Sequence, residues 1–244
     1  MNLQKVIETE YKNVESKNSP HLLFEKNKEV EKILFEYNAF KECNCDPVTN
    51  PLPMSIRSEI NKIIQRISHI NYSPQDITAV CTYLEITKPT EELAIGTFLS
   101  KLINAQYEKT RYTGEYTLLV NHFDPPLVYI GLENFGAHIV VYGNVGNSCG
   151  REMRSGILQI KGDAKRNCGD SLRGGDIFVE NAGDCLGFLM NGGEIHVSKN
   201  AGKDVADMMH AGKLFIDGDY ENLSLTTHMA RLFQVYHKGK RIFW

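Results

Sequence analysis

Two rhythms of apolar residues divide the chain. Over residues 1–112 apolar positions recur at helical spacing: Leu22, Leu23, Val30, Ile33, Leu34 and Tyr37 share one stripe, and Ile56, Ile60, Ile63, Ile64 and Ile67 share a second. Cys43 to Pro53 holds three prolines and reads as the loop between them. A third helix is predicted to start at Ser73-Pro74-Gln75-Asp76. Ser73 can accept from the free amides of the first turn, Pro74 suits that turn, and Asp76 complements the positive end of the helix. Thr87-Lys88-Pro89-Thr90 breaks this helix and opens another with the stripe Leu93, Phe98, Leu102 and Ile103. Residues 113–136 form a transition. Tyr116 to Val120 and Leu127 to Ile130 look like strands, separated by the turn-forcing Asp124-Pro125-Pro126.

From Ala137 the rhythm changes to strict alternation and the sequence repeats itself. Segments begin at Ala137, Gly156, Gly175, Gly193 and Gly212, in steps of 19, 19, 18 and 19 residues, the short step reflecting one missing residue after Glu180. One inward column reads Ile139, Leu158, Ile177, Ile195, Leu214, and the column two residues on reads Val141, Ile160, Val179, Val197, Ile216. Between them Val140, Gln159, Phe178, His196 and Phe215 should face outward. A turn column of Asn144, Asp163, Asn181, Asn200 and Asp219 comes next, then small residues, then Cys149, Cys168, Leu186 and Val205, then Gly150, Gly169, Gly187 and Ala206.

A single unit of this length cannot bury its own stripe, but stacked copies can, each column becoming a ladder with a spacing of ~4.8 Å. The expected fold class is α+β: an N-terminal all-α region (1–112), a β-strand transition (113–136), a right-handed parallel β-helix of about five coils (137–219) and a C-terminal cap (220–244). The helices are expected to pack on the solenoid, because strands and aromatic residues join them rather than a Gly/Ser linker. A left-handed β-helix would need an aliphatic residue at every sixth position, a rule that Ile139, Val145, Arg151 and Ile177, Gly183, Leu189 break. A β-sandwich would not need a residue-by-residue code.

Gly192-Gly193-Glu194-Ile195-His196-Val197 with Asn200-Ala201-Gly202, and Asn181-Ala182-Gly183 with Gly187 and Met190-Asn191-Gly192-Gly193, resemble the GXGXG β-helix domain. That domain closes the large subunit of glutamate synthase and forms a whole subunit of formylmethanofuran dehydrogenase. The resemblance covers residues 136–219 and recurs in four coils. It implies a right-handed β-helix with a structural role, the chemistry of both families lying in other domains or subunits, so it carries over no catalytic residue. Lys199, Lys165-Arg166, Ala206 and Ala211 depart from the pattern at positions where the family has glycine.

Composition narrows the function classes. A net charge of -3 argues against a general nucleic-acid binder. No apolar run approaches the ~20 residues that span a bilayer, and Met1 to Asn13 lacks the apolar core of a signal peptide. A cytoplasmic location, no membrane contact and no nucleic-acid partner are therefore expected, with the six cysteines reduced. Cys149 and Cys168 share a column with Leu186 and Val205, which predicts buried, metal-free thiols. Cys43-Asn44-Cys45 with His69 or Cys81 offers a metal set, but zinc sites usually show two close pairs, so loop thiols fit better. His138, His196 and His210 lie on the solenoid with no fixed nucleophile or carboxylate beside them. The repeat accounts for Gly143-Asn144-Val145-Gly146-Asn147, which otherwise looks like a nucleotide loop.

No catalytic, cofactor-binding or metal residue is assigned on this reading, and no cofactor is expected. The candidate site is an interface formed by Val140, Phe178, His196 and Phe215, facing partner subunits or a second copy of the chain. Coverage of that face by the N-terminal helices is the competing expectation. The expected function is a non-catalytic scaffold or interaction subunit of a glutamate synthase-like or formylmethanofuran dehydrogenase-like oxidoreductase assembly. The alternatives are an enzyme working in a cleft between helices and solenoid, with Cys43, Cys45, His69 and Cys81, and a self-polymerising β-helix.

Overall fold

The computed structural model describes residues 27–41, 54–88, 91–224 and 232–243. Among these residues four helices precede the strands: α1 (Lys28–Lys41), α2 (Met54–Ile67), α3 (Pro74–Tyr83) and α4 (Glu91–Thr110). Their predicted stripes face inward. Val30, Ile33, Leu34 and Tyr37 of α1, Ile60, Ile63 and Ile67 of α2, and Phe98, Leu102 and Ile103 of α4 are buried in one core. Leu22, Leu23, the side chain of Ile56 and the loop from Cys43 to Pro53 lie outside the described residues. α3 starts as its sequence dictates. Ser73 takes an extended conformation and its hydroxyl accepts from the Asp76 amide at 3.2 Å, while the Asp76 carboxylate accepts from the Ser73 amide at 2.7 Å. Two amides that the helix itself cannot satisfy are thereby paired.

Eight strands come after them in one sheet, in chain order: β1 (Glu115–Leu119), β2 (Phe135–Tyr142), β3 (Ser155–Lys161), β4 (Asp176–Val179), β5 (Asn191–Val197), β6 (Ala211–Ile216), β7 (Leu232–His237) and β8 (Lys240–Phe243). β1 to β7 pair in parallel, each with the next, and only β7 and β8 are antiparallel. Consecutive parallel pairing means that the chain circles back after every strand, which makes the fold a parallel β-solenoid and excludes a sandwich. All ten predicted core residues, from Ile139 and Val141 to Leu214 and Ile216, are buried.

The solenoid is longer than its sequence repeat, with about six turns rather than five. β1 is already a rung, its Tyr116 beside Ile139 and its Leu118 beside Val141. Leu127 to Ile130 is not a strand. It is the far side of the first coil, where the Leu127 carbonyl accepts from the Gly146 amide at 2.8 Å and the Ile130 carbonyl from Gly150 at 2.8 Å. At the other end β7 is a further rung, and the hairpin to β8 closes the stack.

The corners opposite the sheet explain the glycine column. Each coil carries three left-handed residues at alternate positions, such as Ser148, Gly150 and Glu152, or Asn167, Gly169 and Ser171. Alternation flips successive amides. Asn167 donates forward to Asp184, Gly169 back to Cys149, and Ser171 forward to Phe188, all between 2.8 and 2.9 Å. The turn thus stitches one coil to both neighbours. The middle position favours glycine, because a methyl on Gly169 would stand 2.3 Å from the flexible tip of Ile195 in the core, and Ala206 fills the same position one turn from the end.

The helices cover the first rung. α3 lies along the free edge of β1, where the Thr78 hydroxyl donates to the Thr117 carbonyl at 2.8 Å and the Cys81 thiol to that of Leu119 at 3.4 Å. α4 packs on the turn of the first coil. The Ser100 hydroxyl accepts from the Gly131 amide at 2.9 Å and donates to the Tyr129 carbonyl at 3.0 Å, and Asn104 donates to the Leu132 carbonyl at 3.1 Å. An open strand edge is a template for aggregation, and these contacts remove it.

Candidate functional site

The outward face of the sheet divides into two regions. Over the first rungs it is closed within the chain. Val140 is only 2% exposed, in a small cluster with Tyr142 against which Leu119 packs. Val140 therefore leaves the candidate interface, because Tyr142, two residues along the same face, and Leu119 on the preceding rung shield it. Gln159, on the next rung, separates this cluster from the rungs of β4 to β7.

From β4 onward the same column becomes a stack of rings. Phe178 and His196 lie 4.7 Å apart between centroids, His196 and Phe215 4.4 Å, and Phe215 and Tyr236 4.8 Å, with planes inclined by 13°, 5° and 13°. The rung spacing dictates this geometry, since side chains at one register position of adjacent parallel strands repeat at ~4.8 Å. The inward neighbours Ile177, Ile195, Leu214 and Val235 are fully buried and fix each strand, while the four rings are half-buried. The described helices make their main contacts with the sheet at β1 and β2, at the other end of the solenoid.

A charged row flanks the rings two residues upstream, with Asp176, Glu194, Lys213 and Gln234 in register. Lys213 donates to Glu194 at 2.7 Å, and the His196 Nε2 lies 3.4 Å from the other Glu194 oxygen. The hydrogen bond from Lys213 holds the Glu194 carboxyl below its ordinary range. Tyr236 completes the stack and donates to Gln234 at 2.7 Å.

The sequence columns placed Phe178, His196 and Phe215 at one outward position but did not include Tyr236, which stacks with them. Leu232 to His237 alternates like the other strands, but it comes two residues later than the 19-residue step would place it. The pairing of Glu194 with Lys213 was readable from the register, since both precede their ring by two residues.

The remaining candidates lie elsewhere. Cys149 and Cys168 are fully buried neighbours in the core, and the Cys149 thiol is raised well above 9.0 by its hydrogen bond to Cys168 and by burial. Cys185 is buried at a left-handed position, with the Arg166 guanidinium 3.2 Å from its sulfur. Cys43 and Cys45 lie outside the described residues. Their suggested companions are apart in character: His69 is exposed after α2, whereas Cys81 is sealed between α3 and β1. Of the other solenoid histidines, His138 is half-buried and His210 exposed. Among the described residues no cluster of three or more His, Cys, Asp or Glu side chains could hold a metal ion, and no helix is long and apolar enough to cross a membrane.

No family model, curated protein or solved structure matches this chain.

Proposed function

We propose that the chain is a scaffold whose solenoid presents the ring stack of β4–β7 to a protein partner. The carrying observation is the stack itself: Phe178, His196, Phe215 and Tyr236, set in register on successive strands and half-buried among the described residues. Pre-ordered aromatics lose little entropy on docking and commonly anchor interfaces. The resemblance to the GXGXG β-helix of glutamate synthase and formylmethanofuran dehydrogenase supports the same reading, with an oxidoreductase assembly as the setting. End-to-end polymerisation fits less well. Helices cover the first rung, and the last one is closed by a short antiparallel strand bearing Lys240 and Arg241.

The test is purification from the native source of the wild-type chain and of Phe178→Ala/Phe215→Ala. Concentrated to about 1 mM, the wild type should elute in an assembly larger than 27.6 kDa. The variant should elute as a folded monomer, because Ile177, Val179, Leu214 and Ile216 beneath the rings are untouched. An unchanged assembly with the variant would refute the proposal.

A further inference from the structure

The outward face of β4–β7 carries a charge pattern that reads in reverse onto itself. Taken rung by rung from β4 to β7, the upstream row is Asp176, Glu194, Lys213, Gln234 and the ring row is Phe178, His196, Phe215, Tyr236. One residue beyond the registered pairs of Val179, Val197, Ile216 and His237, just past the strand ends, comes a downstream row of Glu180, Ser198, Asp217 and Lys238, in which Glu180 also pairs with Lys199 at 2.6 Å and Lys238 with Asp219 at 2.8 Å within the chain. Reversing the rung order sets Glu194 opposite Lys213, Asp176 opposite Gln234, Glu180 opposite Lys238 and Ser198 opposite Asp217. No like charges meet, and every ring faces a ring.

We infer that the occupant of this face is a second copy of the chain, packed sheet to sheet about a two-fold axis that runs parallel to the strands between β5 and β6. The inference rests on the reading of the ring stack as a docking surface and names its partner. A two-fold contact must be self-complementary, with each residue meeting its partner's counterpart twice. The other in-plane axis, along the solenoid, keeps the rung order and exchanges the outer rows. It would set Asp176 against Glu180 of the second copy, a like-charge contact of the kind that selects against a wrong arrangement, and would gain one kind of opposite-charge contact, Lys213 with Asp217, where the strand-parallel axis gains two. Within one chain Asp176 and Glu194 are already neighbours of like charge, and among the described residues Asp176 makes no ion pair. The strand-parallel axis adds a second cation beside Glu194 and introduces no new repulsion.

The size of the patch sets the strength. Four rungs at ~4.8 Å and five residues at ~3.3 Å cover roughly 20 by 16 Å, well below the ~800 Å² per partner of a standard stable interface. The dimer is therefore weak and concentration-dependent.

Sedimentation of the purified full chain, from about 10 µM to about 1 mM, tests this. The wild type should shift from monomer to dimer across the series. Lys213→Glu places Glu194 against a new carboxylate twice and should weaken association ~10-fold or more. Glu194→Lys/Lys213→Glu restores opposite charges at both contacts and should recover association to within about 3-fold of the wild type. Melting temperatures of the three proteins report on the Glu194–Lys213 contact inside each chain. If Lys213→Glu fails to fold, Lys238→Glu, one residue past β7 and facing Glu180 of the second copy, replaces it with the same expectation, its melting temperature reporting on the exposed Lys238–Asp219 pair that it breaks within the chain. A wild type that stays monomeric throughout overturns the inference but leaves docking of a different partner standing. So does a dimer indifferent to Lys213→Glu, or one that the double swap fails to restore. A dimer that survives Phe178→Ala/Phe215→Ala overturns both readings.

Discussion

A methyl group at Gly193, where φ is 81°, would stand 2.5 Å from the Gly175 carbonyl oxygen, a backbone atom that cannot retreat without moving the rung. Gly193→Ala is therefore expected to cost about 3 kcal/mol or more, from left-handed strain and overpacking together. Gly169→Ala meets only the tip of Ile195, which can rotate, and should cost about 1–3 kcal/mol. Ala206→Gly, at a position that is already left-handed, should stay within ~1 kcal/mol of the wild type. Urea denaturation ranks the three, and a Gly193→Ala protein as stable as the wild type would contradict the stacking geometry. Cys81 supplies a second residue-scale test. Burial pushes its thiol from 9.0 up to about 12. The folded chain keeps this proton while the unfolded chain loses it, so stability falls as pH rises from about 9 towards 12. Between pH 8 and 10 the group's share is about 1 kcal/mol, and Cys81→Ala should lose stability less steeply over that range. An identical pH slope would show that the thiol is not sealed. The glycine column was legible in the sequence, but the left-handed state of Ser148, Glu152, Asn167 and Ser171 was not. Of these only Asn167 is of a type that visits that region readily, and the reason for the rest lies in the direction of amides bonded to other coils.

Element by element, the start of α3 and the strands from β2 to β6 were readable because each depends on neighbours in sequence or on a repeated column. What escaped was tertiary. Leu127 to Ile130 has strand composition, yet its amides and carbonyls are taken by the turn of the next coil. β7 was hidden by an irregular step. The role of α3 as an edge cover depends on Thr78 and Cys81 reaching the carbonyls of Thr117 and Leu119, a meeting that no spacing foretells. Thr78→Val keeps the shape and removes the donor, leaving a part-buried carbonyl unpaired, and should destabilise by about 1 kcal/mol in urea denaturation. Limited proteolysis makes the same point for the whole helical layer. A fragment freed of the helices should aggregate through the edge of β1, whereas a stable, fully soluble 113–244 fragment would show that the cover is dispensable.

The molecule as a whole separates two surfaces of one sheet by position along the solenoid. Near the helices the outward face is closed by Val140, Tyr142 and Leu119, and beyond Gln159 it opens into the ring stack. Sequence columns suggested one continuous interface, but adjacent side chains rather than column membership decide which part is free. Hydroxyl-radical footprinting probes the free part directly, since aromatic and sulfur-containing side chains are oxidised in proportion to their exposure. The wild-type chain would be labelled as dilute monomer and again in its assembled form. Phe35 and Met208, 72% and 48% exposed and away from the stack, serve as internal references. Loss of labelling at Phe178, Phe215 and Tyr236 on assembly, with Phe35 and Met208 unchanged, is the expected result. Equal labelling of the three rings in monomer and assembly would contradict the ring stack as the docking surface.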